Sequence, residues 1–107
     1  MSSFDKREEG FEKKFALDEE QKFKAEARRN RLLGQWVAEK LGITGDAAAA
    51  YAKEVVAADF EEAGDGDVIR KVMGDITAKG VAITEQQIRV KMDELMALAV
   101  TQVKAGT

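Results

Sequence analysis

Residues 32–42 read Leu-Leu-Gly-Gln-Trp-Val-Ala-Glu-Lys-Leu-Gly. Leu32, Leu33, Trp36, Val37 and Leu41 recur at i, i+3 and i+4, the spacing of one helical face. Gly42 follows the last of them, where a glycine closes a helix in the left-handed conformation. Extended backwards through strong helix formers, the pattern predicts a first helix over 17–41. Trp36 shares its stripe with four aliphatic residues, which points to the core rather than to a partner.

The same reading repeats three times downstream. Ile43-Thr44-Gly45-Asp46 restarts the chain, with Thr44 or Asp46 as cap. A second helix is expected over 46–62, facing inward through Ala48, Tyr51, Ala52, Val55 and Val56. The alanine run 47–50 permits close helix approach. Gly64-Asp65-Gly66-Asp67 ends that helix and caps a third, whose Val68, Ile69, Val72, Met73 and Ile76 form one stripe before Gly80. Thr84 and Gln87 have the spacing of a capping box, and Ile83 and Ile88 that of a hydrophobic staple. They open a fourth helix with the face Ile88, Met92, Leu95, Ala99 and Val103. No strand alternation or repeat interrupts the series. The expected fold class is all-α, a small four-helix bundle over 17–107 with a flexible N-terminal segment, 1–16.

Composition agrees. The 107 residues are 45% hydrophobic and 35% charged, as in a globular domain, and contain no proline to break a helix. No cysteine excludes disulfides and thiolate metal sites; no histidine removes the commonest metal ligand and the usual neutral-pH base. Asp65-Gly66-Asp67 starts like a calcium loop, but position five is Ile69 and no Glu stands at position twelve. Neither a metal site nor an enzyme is expected. No apolar run approaches the roughly 18 residues of a membrane span. With no secretory leader either, the expected compartment is the cytoplasm.

The net charge of −3 is unevenly laid out. Residues 22–31 carry five bases and one acid, whereas 32–107 carry eight bases and twelve acids. A nucleic-acid binder is basic across its domain, so nucleic acid is excluded as partner. Lys24, Arg28 and Arg31 share one helix face, turned away from Leu32 and Trp36. That face is either solvated, with Glu20 and Lys24 as an i, i+4 pair, or it meets an anionic partner. Arg29 points toward the core side, where its stem packs or its head pairs internally.

The N-terminal segment holds Phe4, Phe11 and Phe15, which on a helix lie within roughly 40° of one another. A charged 16-residue segment with Gly10 inside it is marginal as a free helix. Its aromatic stripe must dock, either on the rest of this chain or on another protein, as a helix docks in a partner's groove. Phe23 lies off that stripe.

Residues 17–62, LDEEQKFKAEARRNRLLGQWVAEKLGITGDAAAAYAKEVVAADFEE, carry a resemblance. The chain resembles the zeta subunit of alphaproteobacterial F-type ATP synthase, a small ATPase inhibitor. FKAEARRNRLLG followed by W-x-AEKLG is a long and specific match, and the similarity runs essentially the whole length. The resemblance implies a four-helix bundle that inhibits ATP hydrolysis by the F1 head. It implies an N-terminal segment that enters a catalytic alpha/beta interface and stops rotation of gamma in the hydrolytic direction. Carried onto this chain, the contacts would be Phe4, Phe11 and Phe15, with Lys13 and Lys14 beside them. It further implies weak ADP or ATP binding on the bundle; charge alone nominates Lys24, Arg28 and Arg31. The alternative function is a nucleotide-sensing regulatory module. The protein is then expected as a monomer when free, working at the membrane-bound ATP synthase. Two departures stand out: Leu17 occupies a place where many members have histidine, and Ala63 one where many have proline.

Overall fold

The computed structural model describes residues 17–59 and 65–106. Four helices make up the described residues: α1 Glu19–Leu41, α2 Gly45–Ala58, α3 Gly66–Lys79 and α4 Glu85–Lys104. Among the described residues there is no strand. The all-α bundle expected from periodicity is what forms. Segment 1–16 lies outside the described residues.

Local chemistry explains most of the ends. Gly42 and Gly80 take φ of 76° and 75° after α1 and α3, a backbone that costs glycine little. At Gly42 the N–H donates to the Ala38 and Glu39 carbonyls, satisfying acceptors the helix end leaves open. Thr84 and Gln87 close the expected capping box: the Gln87 N–H donates to Thr84 Oγ1 at 3.1 Å, and the Thr84 N–H to Gln87 Oε1 at 2.8 Å. Ile88, in the staple position, is fully buried, and Ile83 packs on the same core.

Two boundaries and two caps differ from expectation. α1 begins at Glu19 rather than residue 17, because Asp18 and Gln21 form a second capping box; the Gln21 N–H donates to Asp18 Oδ1 at 2.7 Å. α2 ends at Ala58, four residues short of 62, with residues 60–64 outside the described set. Thr44 and Asp65 occupy the cap positions of α2 and α3, but neither side chain bonds its own helix.

Helix α1 is the centre of the packing, against α2 and α4 above all, while α3 completes the bundle. The main core joins Leu33, Val37 and Leu41 of α1 to Tyr51 and Val55 of α2. Val68, Val72 and Ile76 of α3 and Ile88 and Met92 of α4 close it from the other side. Each fully buried Val, Leu or Ile contributes roughly 1.5–3 kcal/mol relative to exposure. The centre of the α1 stripe is Leu33, Val37 and Ala38; Leu32 and Trp36 are half-buried at its margin. Lys40 and Lys91 each place Nζ 5.5 Å from the Trp36 ring centroid, so the indole is covered by cations as well as by core. A smaller cluster of Ala25, Ala99 and Val100, with Leu17 against it, ties the start of α1 to the end of α4.

Close approach of α1 and α2 happens at Gly34 and Ala52, not at the alanine run. A Cβ on Gly34 would lie 2.6 Å from the Ala52 Cα. Ala47, Ala49 and Ala50 face solvent.

Candidate functional site

α1 carries its cationic face on the turns Lys24, Arg28 and Arg31, one helical turn apart. Packing of α1 on α2 and α4 turns that face into one wall of a groove of about 880 Å³, within the range of ligand pockets. All three predicted residues line it. Lys53 of α2 joins them as a fourth cation. Phe23, Ala27, Val56 and Val103 supply apolar surface, and Asp18 and Glu20 stand at one end.

The cations are held to different degrees. Lys24 pairs with Glu20 at 3.1 Å, the i, i+4 contact expected; both side chains are largely exposed, so the pair adds little stability. Arg28 donates from Nη1 to Gln102 Oε1 at 3.3 Å, bracing α1 on α4. Arg31 is exposed. Phe23 is 59% exposed on the groove, not part of the core.

Lys53 and Gln102 escaped sequence reading. Each sits on a different helix from the α1 cations, and only the pairing of helices brings them near. The sole local trace was the i, i+3 spacing of Lys53 and Val56, too common to single out.

Arg29, next to the groove residues in sequence, points the other way. It is 5% exposed, donates from Nε to Asn30 Oδ1 at 3.0 Å and from Nη2 to Asp65 Oδ1 at 2.8 Å. Both expectations for it hold at once, a packed stem and an internal pair. It is therefore not a groove residue.

A second polar cluster lies between α2 and α3. Tyr51 donates its hydroxyl to Asp75 Oδ2 at 2.8 Å. Lys71 Nζ lies 2.9 Å from Asp75, 3.0 Å from Glu54 and 5.1 Å from the Tyr51 ring centroid. Burial, then the Asp75 acceptor, push the Tyr51 hydroxyl well above the ordinary phenol value. At Lys71 burial works against the charge, but Asp75 and Glu54 outweigh it and the ammonium is raised. These groups satisfy one another, which is the work of an interhelical clamp. Among the described residues no group of three His, Cys, Asp or Glu is placed to hold a metal ion. No described helix is long and apolar enough to cross a membrane.

Phe4, Phe11, Lys13, Lys14 and Phe15, the residues assigned to a protein partner, lie outside the described residues.

The described residues form a small four-helix bundle in which α1, α2 and α4 line a groove carrying Lys24, Arg28, Arg31 and Lys53. The chain belongs to the family ATPase inhibitor subunit zeta, which it matches over residues 1–102. Its role is accordingly that of a regulatory, inhibitory subunit associated with ATP synthase. A structure solved by solution NMR shares 56% identity with it at a TM-score of 0.70, covering 79% of this chain and 96% of the other. Comparison with curated proteins found no match.

Proposed function

We propose that this chain inhibits ATP hydrolysis by the F1 head, with residues 1–16 inserted at a catalytic alpha/beta interface and acting against gamma. Phe4, Phe11 and Phe15 are the anchors, and Lys13 and Lys14 meet acidic surface beside them. The bundle 17–107 is the body that carries the segment. It works on the cytoplasmic side, as a monomer until it binds.

The observation that carries this reading is the start of α1. Asp18 and Gln21 cap the helix reciprocally, and Leu17 packs against the cluster of Ala25, Ala99 and Val100. α1 thus has its own beginning and anchor without residues 1–16, while the family match includes those residues. A segment of matched sequence that α1 does not need for its start is available for a partner. Deleting 1–16 tests it: the bundle folds and inhibition of F1 hydrolysis is lost. A thermal midpoint lowered by more than about 8 °C, roughly 1–2 kcal/mol for a domain this size, makes the segment structural and sinks the reading.

The groove favours a second, compatible reading, that the bundle senses ADP or ATP through Lys24, Arg28 and Arg31. The cations suit phosphates and Phe23 offers a stacking face. Chemical-shift titration with ADP tests it, and perturbations unchanged by reversal of the three residues to Glu place any nucleotide elsewhere.

A further inference from the structure

Most cations of α3 and α4 are spent on the chain itself: Arg70 on Asp67, Lys71 on Asp75 and Glu54, Arg89 on Glu85 and Lys91 on Glu94. Arg31 and Lys53 differ. Both are exposed and line the groove, one on α1 and one on α2, and neither has an ion pair among the described residues. Beside them stands Phe23, the most exposed of the large apolar side chains described. We propose that the groove between α1, α2 and α4 is a docking seat for an acidic amphipathic helix of another protein.

The groove is patterned at the helical repeat. Taking Phe23 as zero around the α1 axis, Ala27 lies at roughly 40°, and Arg31, Lys24 and Arg28 lie at roughly 80–140°. An apolar edge and a cationic edge therefore run side by side along α1. α2 repeats the pair one turn apart with Lys53 and Val56, and α4 adds Val103 to the apolar floor. An occupant that satisfies both edges carries an apolar stripe with acids along one flank, returning once per turn, and a helix has that pattern. The three α1 cations are spread over about 10 Å of axis, whereas a phosphate group gathers its donors at one point. The wall from Asp18 to Arg31 runs about 20 Å, the length of a partner helix of roughly 13 residues.

Each group has a part in such a contact. Phe23 is the aromatic anchor, covered by the partner's apolar stripe. Arg31 and Lys53 gain charge-assisted hydrogen bonds to its carboxylates. Asp18 and Glu20, at one end of the groove, repel acids there, so the acidic flank lies over residues 24–31. The inference goes beyond both the F1 and the nucleotide readings. A nucleotide held by the same cations competes with the helix for the groove.

The test is a titration of the full, isotope-enriched chain with a synthetic alanine-based helix of about 13 residues, carrying Leu at i, i+4, i+7 and i+11 and Glu along one flank. The amide signals of Ala27, Arg31, Lys53, Val56 and Val103 should move, while those of Gly74 and Val90 stay in place. Arg31→Glu together with Lys53→Glu should weaken binding at least about tenfold. Unchanged signals of the Thr84–Gln87 capping box would show that this variant keeps its fold. A peptide of the same composition, scrambled so that neither stripe forms, should also bind at least about tenfold more weakly. Equal binding of the ordered and scrambled peptides overturns the proposal, because charge alone is then responsible. Equal binding by the unmodified and charge-reversed chains overturns it as well, as do shifts centred on Val90 and Leu98. Groove shifts with ADP but none with the peptide give the groove to a nucleotide and overturn the seat; groove shifts that grow with the concentration of the chain alone give it to a second copy. Displacement of the ordered peptide by ADP supports the seat, with the groove shared between the two in competition.

Discussion

Arg29, buried in α1, reaches 2.8 Å from its Nη2 to Oδ1 of Asp65, the residue at the cap position of α3. Asp65 therefore spends its carboxylate on another helix instead of capping its own. The pair joins two elements separated by 36 residues of sequence and fixes where α3 begins against α1. Asn30, with no exposure, takes the remaining Arg29 contact through Oδ1.

Asp65→Ala leaves a buried guanidinium with Asn30 as its one described partner. The expected loss is about 2 kcal/mol, or roughly 10 °C in thermal midpoint. Arg29→Met in the same background should cost little more, because the charge needing a partner has gone. Additive losses in the double variant would show that the pair is not coupled.

Gly34→Ala should destabilise by about 1–3 kcal/mol, since its new Cβ lies 2.6 Å from the Ala52 backbone. Gly74→Ala in α3 meets nothing within 4 Å and should stabilise by up to about 1 kcal/mol. Denaturant midpoints of the two variants must move in opposite directions; a shared direction refutes the close-approach account.

The Tyr51 clamp sets the alkaline limit. The Tyr51 hydroxyl titrates above its ordinary 10.0 in the fold, and Lys71 above its ordinary 10.5. A group raised in the folded state contributes stability fully below its unfolded value and loses it as pH climbs toward the folded one. Stability should hold through neutral pH and fall above about pH 10. Tyr51→Phe should reduce the steepness of that fall while leaving Lys71 on Asp75. An identical alkaline slope in the two proteins would remove Tyr51 from the account.

Phe11→Ala and Phe15→Ala should each raise the concentration for half-inhibition of F1 by roughly thirtyfold, the loss of an anchor at about 2 kcal/mol. Phe4 stands beyond Gly10 and should lose less, because glycine weakens its helical coupling to the other two. Phe23→Ala should leave thermal stability within about 0.5 kcal/mol, since the ring is 59% exposed. Equal inhibition by all three N-terminal variants would move the contact surface onto the bundle.

The departures at Leu17 and Ala63 have different standing. Leu17 packs on the Ala25, Ala99 and Val100 cluster, an apolar place that a leucine fills well. Ala63 lies outside the described residues.

What the amino-acid order determined by itself is local. Four helices, their glycine stops at Gly42 and Gly80, and the Thr84–Gln87 box were legible because each depends on residues within about one turn. The stripe Val68, Ile69, Val72 and Ile76 was legible because burial follows helical period. Lys24, Arg28 and Arg31 could be placed on one face for the same reason. Tertiary packing alone decided that Lys53 faces them, that Gln102 holds Arg28, that Arg29 reaches Asp65, and that α1 and α2 touch most closely at Gly34 and Ala52. Periodicity says which face a helix buries; it carries no information on which neighbour covers it, at what height, or with which side chains opposed. Those follow from the joint packing of all four helices, where steric fit and the pairing of buried charge choose among registers that local sequence leaves equal.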